Sequence, residues 1–260
     1  AKPAAVKVAA AKPAKPAEAG KPGTYVPAAV VLGAAVKLPA GLEGAAKQLR
    51  AAAAAKDAEA VAALVADEVT VVMGGLDLAR GRTAQKVDAQ GSAETIVRFL
   101  GDNAGGDGDI PKDLSGRERD RILFGRAFGL IVASIDDADW GRDPLVTGAT
   151  CTHRGTQWKG EAVKGQGVGA VSGGIVEKPT PVRASADLKA KSVDTLQPGR
   201  LYLTADGAAA PAGWTAVRLP KGGSGFVRVE ALSTPNRAGI CFLPTAEGGW
   251  LMSAISGVGL

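Results

Sequence analysis

The sequence is poor in aromatic residues and in the residue types that most often carry out catalysis. Phe, Trp and Tyr together make up 4% of the 260 residues, and the chain has one histidine and two cysteines. This number of His and Cys residues is too small for the usual four-ligand zinc site, so we expect no structural zinc. The hydrophobic fraction of 46% still permits a core, which must consist mainly of Val, Leu, Ile and Ala.

The chain also lacks a run of 18 or more apolar residues, because Pro27 and Gly33 interrupt the longest apolar stretch, at residues 25–36. A transmembrane helix needs about 20 consecutive apolar residues, so we expect no transmembrane segment. The first residue is Ala1, which fits removal of a signal peptide and also loss of an initiator Met. We expect an exported protein, periplasmic or extracellular.

Positive charge is concentrated at the N-terminus. Residues 1–23 carry five lysines against a single Glu18, whereas the remaining 237 residues carry 26 basic and 25 acidic side chains. The lysines are Lys2, Lys7, Lys12, Lys15 and Lys21. A segment of Ala, Lys, Pro and Gly buries too little apolar surface to offset its ordering entropy. Residues 1–35 are therefore expected to form an extended tail, which a partner surface in a larger assembly would order.

Helical and strand patterns alternate over residues 36–176, which we assign to an N-terminal α/β or α+β domain. Asp57 is a candidate N-cap for a helix over residues 58–66. Ser115 and Glu118 have the form of a capping box at the start of the strongest helix. The Pro-marked segment 177–181 then indicates a linker between two domains.

The segments after this linker are short runs of β-forming residues bounded by Gly, Pro, Asp or Asn. They read VRAS at 182–185, VDTLQPG at 193–199, LYL at 201–203, GWTAV at 213–217, and GFV at 225–227 with Leu232 after it. This pattern resembles the bacterial SH3 family and implies an SH3-like β-barrel over residues 182–236. Members of that family commonly bind peptides or cell-wall components. The large aromatics Tyr202, Trp214 and Phe226 are candidate ligand contacts, and packing in the core is their alternative role.

Residues 237–260 follow the expected end of the barrel and predict a closing β-hairpin that packs back on the N-terminal domain. Cys241 opens this hairpin, and Cys151 lies at the end of the first domain. The two cysteines lack metal-ligand spacing, and in an exported protein two lone cysteines usually pair. A bond between them closes a loop of about 90 residues and contributes roughly 4–5 kcal/mol in the chain-entropy model. Two separate buried thiols are the alternative.

Three local patterns bear on catalysis or cofactor binding. Cys151 and His153 lie two residues apart and compete for one surface, so we expect a surface or loop histidine rather than a Cys–His centre. The stretch GQGVGA at 165–170 fits a dinucleotide fingerprint, but further glycines follow where a helix is needed, which indicates a flexible loop. Three aspartates miss the EF-hand spacing and indicate a solvated acidic loop: Asp102, Asp107 and Asp109. We expect no cofactor and no catalytic centre.

These features predict an α+β protein that binds rather than reacts. The favoured hypothesis is a non-catalytic binding or structural protein of the bacterial cell envelope, with the SH3-like domain engaging a protein partner or a cell-wall polymer. A nucleic-acid-associated protein that uses the basic tail is the alternative, although the near-neutral charge of the rest of the chain speaks against nucleic acid. A hydrolase of unknown type is the third hypothesis.

Overall fold

The computed structural model describes residues 24–258, apart from residues 75–77, 79–80, 105–109, 111–112, 161–172, 206–209 and 236. Within these ranges the chain forms an α+β fold with several mainly antiparallel sheets. The helices are α1 (Leu42–Ala54), α2 (Ala58–Ala62), α3 (Ala93–Ala104) and α4 (Gly116–Asp136). The strands are β1 (Ala28–Leu32), β2 (Val65–Gly74), β3 (Arg82–Asp88), β4 (Thr150–Cys151), β5 (Thr156–Trp158), β6 (Gly173–Val176), β7 (Thr180–Arg183), β8 (Ser192–Leu196), β9 (Arg200–Leu203), β10 (Trp214–Arg218), β11 (Ser224–Arg228), β12 (Leu232–Ser233), β13 (Gly239–Pro244) and β14 (Trp250–Val258). None of the described helices is long and apolar enough to span a membrane.

Side-chain caps define the starts of two helices. The Asp57 carboxylate accepts a hydrogen bond from a backbone amide in the first turn of α2. Ser115 and Glu118 cap α4 reciprocally, which confirms the predicted capping box. Helix α2 is shorter than predicted, because Val65 already begins β2 and the chain must leave the helix to join the sheet.

The N-terminal sheet has the strand order β3-β2-β14-β13-β4 and carries the helices on one face. Its strands come from both ends of the chain, since β14 pairs in parallel with β2 and β13 pairs antiparallel with β4. Leu49, Val97 and Ile131 of α1, α3 and α4 meet Phe242 and Ile255 of the β13–β14 hairpin in a fully buried core. The C-terminal hairpin is therefore an integral part of this sheet.

The C-terminal part consists of antiparallel sheets with the strand orders β12-β6-β9-β1-β5 and β10-β11-β7-β8. These sheets share one apolar core, in which Ile175 and Leu201 of the first lie with Val182 and Val217 of the second. An isolated bridge between Thr204 and Val217 connects them where β9 meets β10. Closure into a barrel is not found in the part of the chain that the structure describes.

Segments outside residues 182–236 supply strands to these sheets. Strand β1 lies in the segment expected to be a tail, yet it pairs with both β9 and β5 and buries Ala28. Strand β7 begins in the segment expected to be a linker. Pro181 is tolerated in this strand because β11 pairs with β7 only at Arg183, so no hydrogen bond to β11 is lost. The observed element boundaries thus differ from the expected domain boundaries.

Candidate functional site

The two cysteines are joined by a disulfide bond, which confirms the bond expected from the sequence. Cys151 of β4 lies directly opposite Cys241 of β13, and the bond links residues 90 positions apart. Both are fully buried and pack with Val146 and Ala149 of the loop before β4. Because the bonded sulfurs offer no thiolate, Cys–His catalysis with either cysteine is ruled out.

A buried polar cluster joins separate segments of the chain. It consists of Arg82 in β3, Asp143 in the loop before β4, His153 after β4 and Ser256 in β14, each at most 6% exposed. Arg82 Nη2 lies 2.7 Å from Asp143 Oδ2, and Ser256 Oγ lies 3.0 Å from His153 Nε2. Arg82 also donates a hydrogen bond to the carbonyl oxygen of Thr156 in β5. The cluster therefore connects the N-terminal sheet to the C-terminal sheets.

The Asp143 carboxylate stays charged inside the protein. Burial by itself raises the pKa of this carboxyl group, but the neighbouring His153 imidazole and the Arg82 charge outweigh it and hold the pKa below its ordinary value. The Leu145 amide also donates a hydrogen bond to Asp143 Oδ1, at 2.9 Å. A charged group held by partners on several segments is a structural link between them.

The Ser256, His153 and Asp143 side chains do not have the geometry of a catalytic triad. In a triad the serine and the carboxylate bind different nitrogens of the imidazole. Here both lie on the Nε2 side, with Asp143 Oδ2 3.7 Å from that atom. The other nitrogen, Nδ1, faces Gly239, where a Cβ atom would overlap the ring. Since Ser256 is 1% exposed, a substrate does not reach its hydroxyl.

His153 was expected to be a surface or loop histidine, and the structure places it in a loop but not on the surface. The residue lies in the bend after β4, but it is 1% exposed. Its ring fits inside because Gly239, distant in sequence, has no side chain at the contact. No local pattern around His153 carries this information. The same holds for Arg82, Asp143 and Ser256, which are single polar residues without a shared motif.

Trp214 and Phe226 lie on the outer face of the sheet β10-β11-β7-β8. Side chains alternate along a strand, and Val227, next to Phe226, points into the shared core and is fully buried. Phe226 stands opposite Arg183 of β7, and Trp214 stands opposite Arg228 of β11. We call this set, Trp214, Phe226, Arg183 and Arg228, the aromatic face.

The aromatic face combines apolar rings with guanidinium groups. The Arg228 guanidinium lies 5.4 Å from the centroid of the Trp214 ring, within cation–π distance. Glu230 Oε1 lies 2.9 Å from Arg228 Nε and fixes this side chain at the rim. Both rings are half-buried, so part of each remains open to a ligand. Aromatic and arginine side chains are the types that most often dominate binding energy at interfaces.

Tyr202 does not join the aromatic face. It is 3% exposed and packs in the core that the C-terminal sheets share. Its hydroxyl oxygen accepts a hydrogen bond from the backbone amide of Gln197, at 2.7 Å. Of the three candidate ligand contacts, the structure brings Trp214 and Phe226 together and uses Tyr202 for packing.

Several sequence candidates lie outside the described residues. These are the tail lysines, the glycine stretch 165–170, Asp107 and Asp109. Asp102 is described and lies in α3, where Arg119 Nη2 is 3.6 Å from its carboxylate.

The chain matches no protein-family model, no curated protein and no solved structure. The likeness to the bacterial SH3 family consequently rests on the residues of this chain alone.

Proposed function

We propose that this protein is a non-catalytic binding or structural protein of the bacterial cell envelope, whose SH3-like C-terminal part engages a protein or cell-wall ligand. The observation that carries the proposal is the aromatic face. Trp214 and Phe226 lie partly exposed on neighbouring strands, and Arg183 and Arg228 flank them. Rings whose role was only to fill the core would point inward, as Tyr202 does.

The order of elements in the C-terminal part supports an SH3-like description. Strands β9, β10 and β11 follow one another in the chain and also lie side by side, through the Thr204–Val217 bridge and the pairing of β10 with β11. A one-turn 3-10 helix (Val229–Ala231) follows them. The last short strand, β12, then returns to pair with β6. Short strands around one small core are the architecture that the sequence motifs imply.

Charge supports an anionic ligand. Residues 180–235 contain seven basic and four acidic side chains, a formal charge of +3, whereas residues 24–260 as a whole carry +1. The excess of positive charge therefore lies in the part that presents the aromatic face, mainly because acidic side chains are few there. A positive surface favours approach of acidic peptides or anionic wall polymers.

Export is part of the proposal. Disulfide bonds persist mainly in oxidising compartments such as the periplasm and the extracellular space. The Cys151–Cys241 bond joins two adjacent strands of the N-terminal sheet. Expression of the full gene in bacteria, followed by fractionation and mass spectrometry of the mature N-terminus, tests the compartment. Recovery of the protein in the cytosol with both thiols free would contradict this part of the proposal.

The binding role is tested by co-sedimentation with purified peptidoglycan. We expect the double variant Trp214→Ala, Phe226→Ala to bind at least about tenfold more weakly than the wild type, because it loses both rings of the aromatic face. The matched control is Leu188→Ala, which removes an apolar side chain that is 67% exposed in the loop between β7 and β8. Circular dichroism establishes that each variant is folded.

The result that would overturn the binding role is equally specific. A double variant that binds as the wild type does would exclude the aromatic face. If the wild type binds neither peptidoglycan nor acidic peptides in titration, the proposed ligand class is wrong.

A further inference from the structure

A short segment just before β1 is anchored on the C-terminal part by one side chain. Residues 24–27, which we call the strap, form no strand or helix. Tyr25 of the strap is 8% exposed and belongs to the shared core of the C-terminal sheets, whereas the next residue, Val26, is 76% exposed. The strap therefore lies on the surface and inserts a single ring.

The hydroxyl group and the backbone amide of Tyr25 are both hydrogen-bonded to backbone groups of other residues. Its hydroxyl donates to the Arg218 carbonyl oxygen at 2.9 Å and accepts from the Leu203 amide at 3.3 Å. Its own amide donates to the Pro220 carbonyl oxygen at 3.0 Å. The Arg218 guanidinium lies 5.6 Å from the centroid of the ring. Burial raises the pKa of Tyr25 to about 12, so the phenol is a neutral donor throughout the physiological range.

A cleft of about 370 Å³ lies directly beside the strap. Val26 and Pro27 of the strap form one wall, and Tyr202 is among the lining residues. The other lining residues are Asp194, Thr195, Leu196, Gln197, Arg200, Pro220 and Lys221. The Pro27 carbonyl oxygen also accepts a hydrogen bond from Arg200 Nη1, at 3.5 Å. Release of the strap would join this cleft to the pocket that holds the Tyr25 ring.

We propose that the pocket of Tyr25 and the adjoining cleft are a peptide-binding site that the chain itself occupies, and that an extended peptide with tyrosine followed two residues later by proline binds there when the strap leaves. The contacts of the strap are those of a bound peptide: one buried ring, one main-chain hydrogen bond and an outward-pointing neighbour. The site is separate from the aromatic face. Arg218, whose carbonyl oxygen binds Tyr25, and Trp214 of the aromatic face lie at opposite ends of β10, about 13 Å apart at the rise of a β-strand.

Occupancy by the strap sets the affinity that an added peptide shows. The apparent dissociation constant equals the intrinsic one divided by the fraction of molecules with an empty site. In the wild type the strap keeps that fraction small. The variant Tyr25→Ala keeps β1 in its sheet but empties the ring pocket, so it exposes the intrinsic affinity.

The test uses the full chain and a fluorescently labelled peptide with the sequence of residues 21–27, KPGTYVP, which stops before β1, with binding read by fluorescence anisotropy. We expect Tyr25→Ala to bind this peptide at least about tenfold more tightly than the wild type does. The matched peptide, with alanine in place of its tyrosine, is expected to lose at least about tenfold in affinity for the same variant, because the ring is the anchor.

Two results overturn the proposal. One is a folded Tyr25→Ala variant that does not bind the tyrosine peptide. The other is equal binding of that peptide to the variant and to the wild type, which places it elsewhere on the surface.

The substitution Trp214→Ala distinguishes this site from the aromatic face. In the Tyr25→Ala background it is expected to leave peptide binding unchanged, even if it abolishes binding to peptidoglycan. The inference shares with the proposed function only the premise that the C-terminal part is a binding module.

A second measurement applies if Tyr25→Ala does not fold. Hydrogen exchange of the wild type reports opening of the strap, because the Tyr25 amide donates to the Pro220 carbonyl oxygen and the Leu203 amide donates to the Tyr25 hydroxyl. We expect both amides to exchange faster than that of Val71, which lies in a central strand of the N-terminal sheet. Protection equal to that of Val71 would show that the strap does not open, and the proposal would fail.

Discussion

Arg82 and Asp143 form an ion pair that solvent does not reach. Arg82 Nη2 and Asp143 Oδ2 are 2.7 Å apart, and the two side chains are 1% and 0% exposed. The pair links β3 to the loop that covers the disulfide, and the cluster around it reaches β5 and β14. The two residues are 61 positions apart in the sequence, so the pair forms only when β3 and the loop before β4 have come together.

Removal of one member of this pair should be costly. We expect Asp143→Asn to lower the free energy of unfolding by about 3–5 kcal/mol, because the Arg82 charge then remains buried without its counter-ion. Urea unfolding measures the effect. The control is Glu68→Gln, which breaks the exposed pair with Lys86 and should cost less than about 1 kcal/mol. Equal effects of the two substitutions would show that the buried pair is not a major link.

The pair also predicts a pH dependence. The pKa of folded Asp143 lies below its ordinary value of 3.8, so its charge stabilises the fold fully above that value, and this contribution is lost as the pH falls through the lower folded pKa. We expect the stability difference between the wild type and Asp143→Asn to be constant near neutral pH and to shrink at pH values below 3.8. Urea titrations at a series of pH values test the trend. A difference that grows towards acid would reverse the sign and refute the assignment.

The disulfide should contribute by restricting the unfolded chain. Its loop of 90 residues corresponds to about 4–5 kcal/mol in the chain-entropy model. We expect the double variant Cys151→Ala, Cys241→Ala to lose at least that amount in urea unfolding. Both residues are fully buried, so dithiothreitol should reduce the native protein far more slowly than the urea-unfolded protein. Rapid reduction of the native protein would mean that this region opens readily.

A pair of glycines offers a test of packing around His153. At Gly239 a Cβ atom would overlap the imidazole ring, and we expect Gly239→Ala to destabilise the protein by about 1–3 kcal/mol. At Gly129, on the exposed side of α4, a Cβ atom meets nothing within 4 Å. Gly129→Ala should therefore stabilise the protein by up to about 1 kcal/mol through helix propensity. Thermal unfolding of the two variants measures the contrast, and a neutral Gly239→Ala would mean that the ring can move aside.

Local features of this chain were readable from the sequence because they depend on near neighbours. The Asp57 and Ser115 caps satisfy amides within three residues of themselves, and they appear where the pattern places them. The GWTAV and GFV segments became β10 and β11 because their β-forming residues are bounded by glycines. The Cys151–Cys241 bond was expected because the chain has only two cysteines and was taken to be exported, with two free thiols as the alternative.

The amino-acid sequence alone determined the starts of α2 and α4, the β-rich character of the last third and the fact that its two cysteines could pair only with each other within the chain. Only the tertiary structure decided that Tyr25 is buried, that β1 joins the C-terminal sheets, and that His153 lies in a sealed cluster with Asp143. The physical reason is that burial and strand pairing are properties of a contact, and the partners here are far apart along the chain. A residue whose hydrogen-bond partner or covering side chain lies in a distant segment carries no local sign of either.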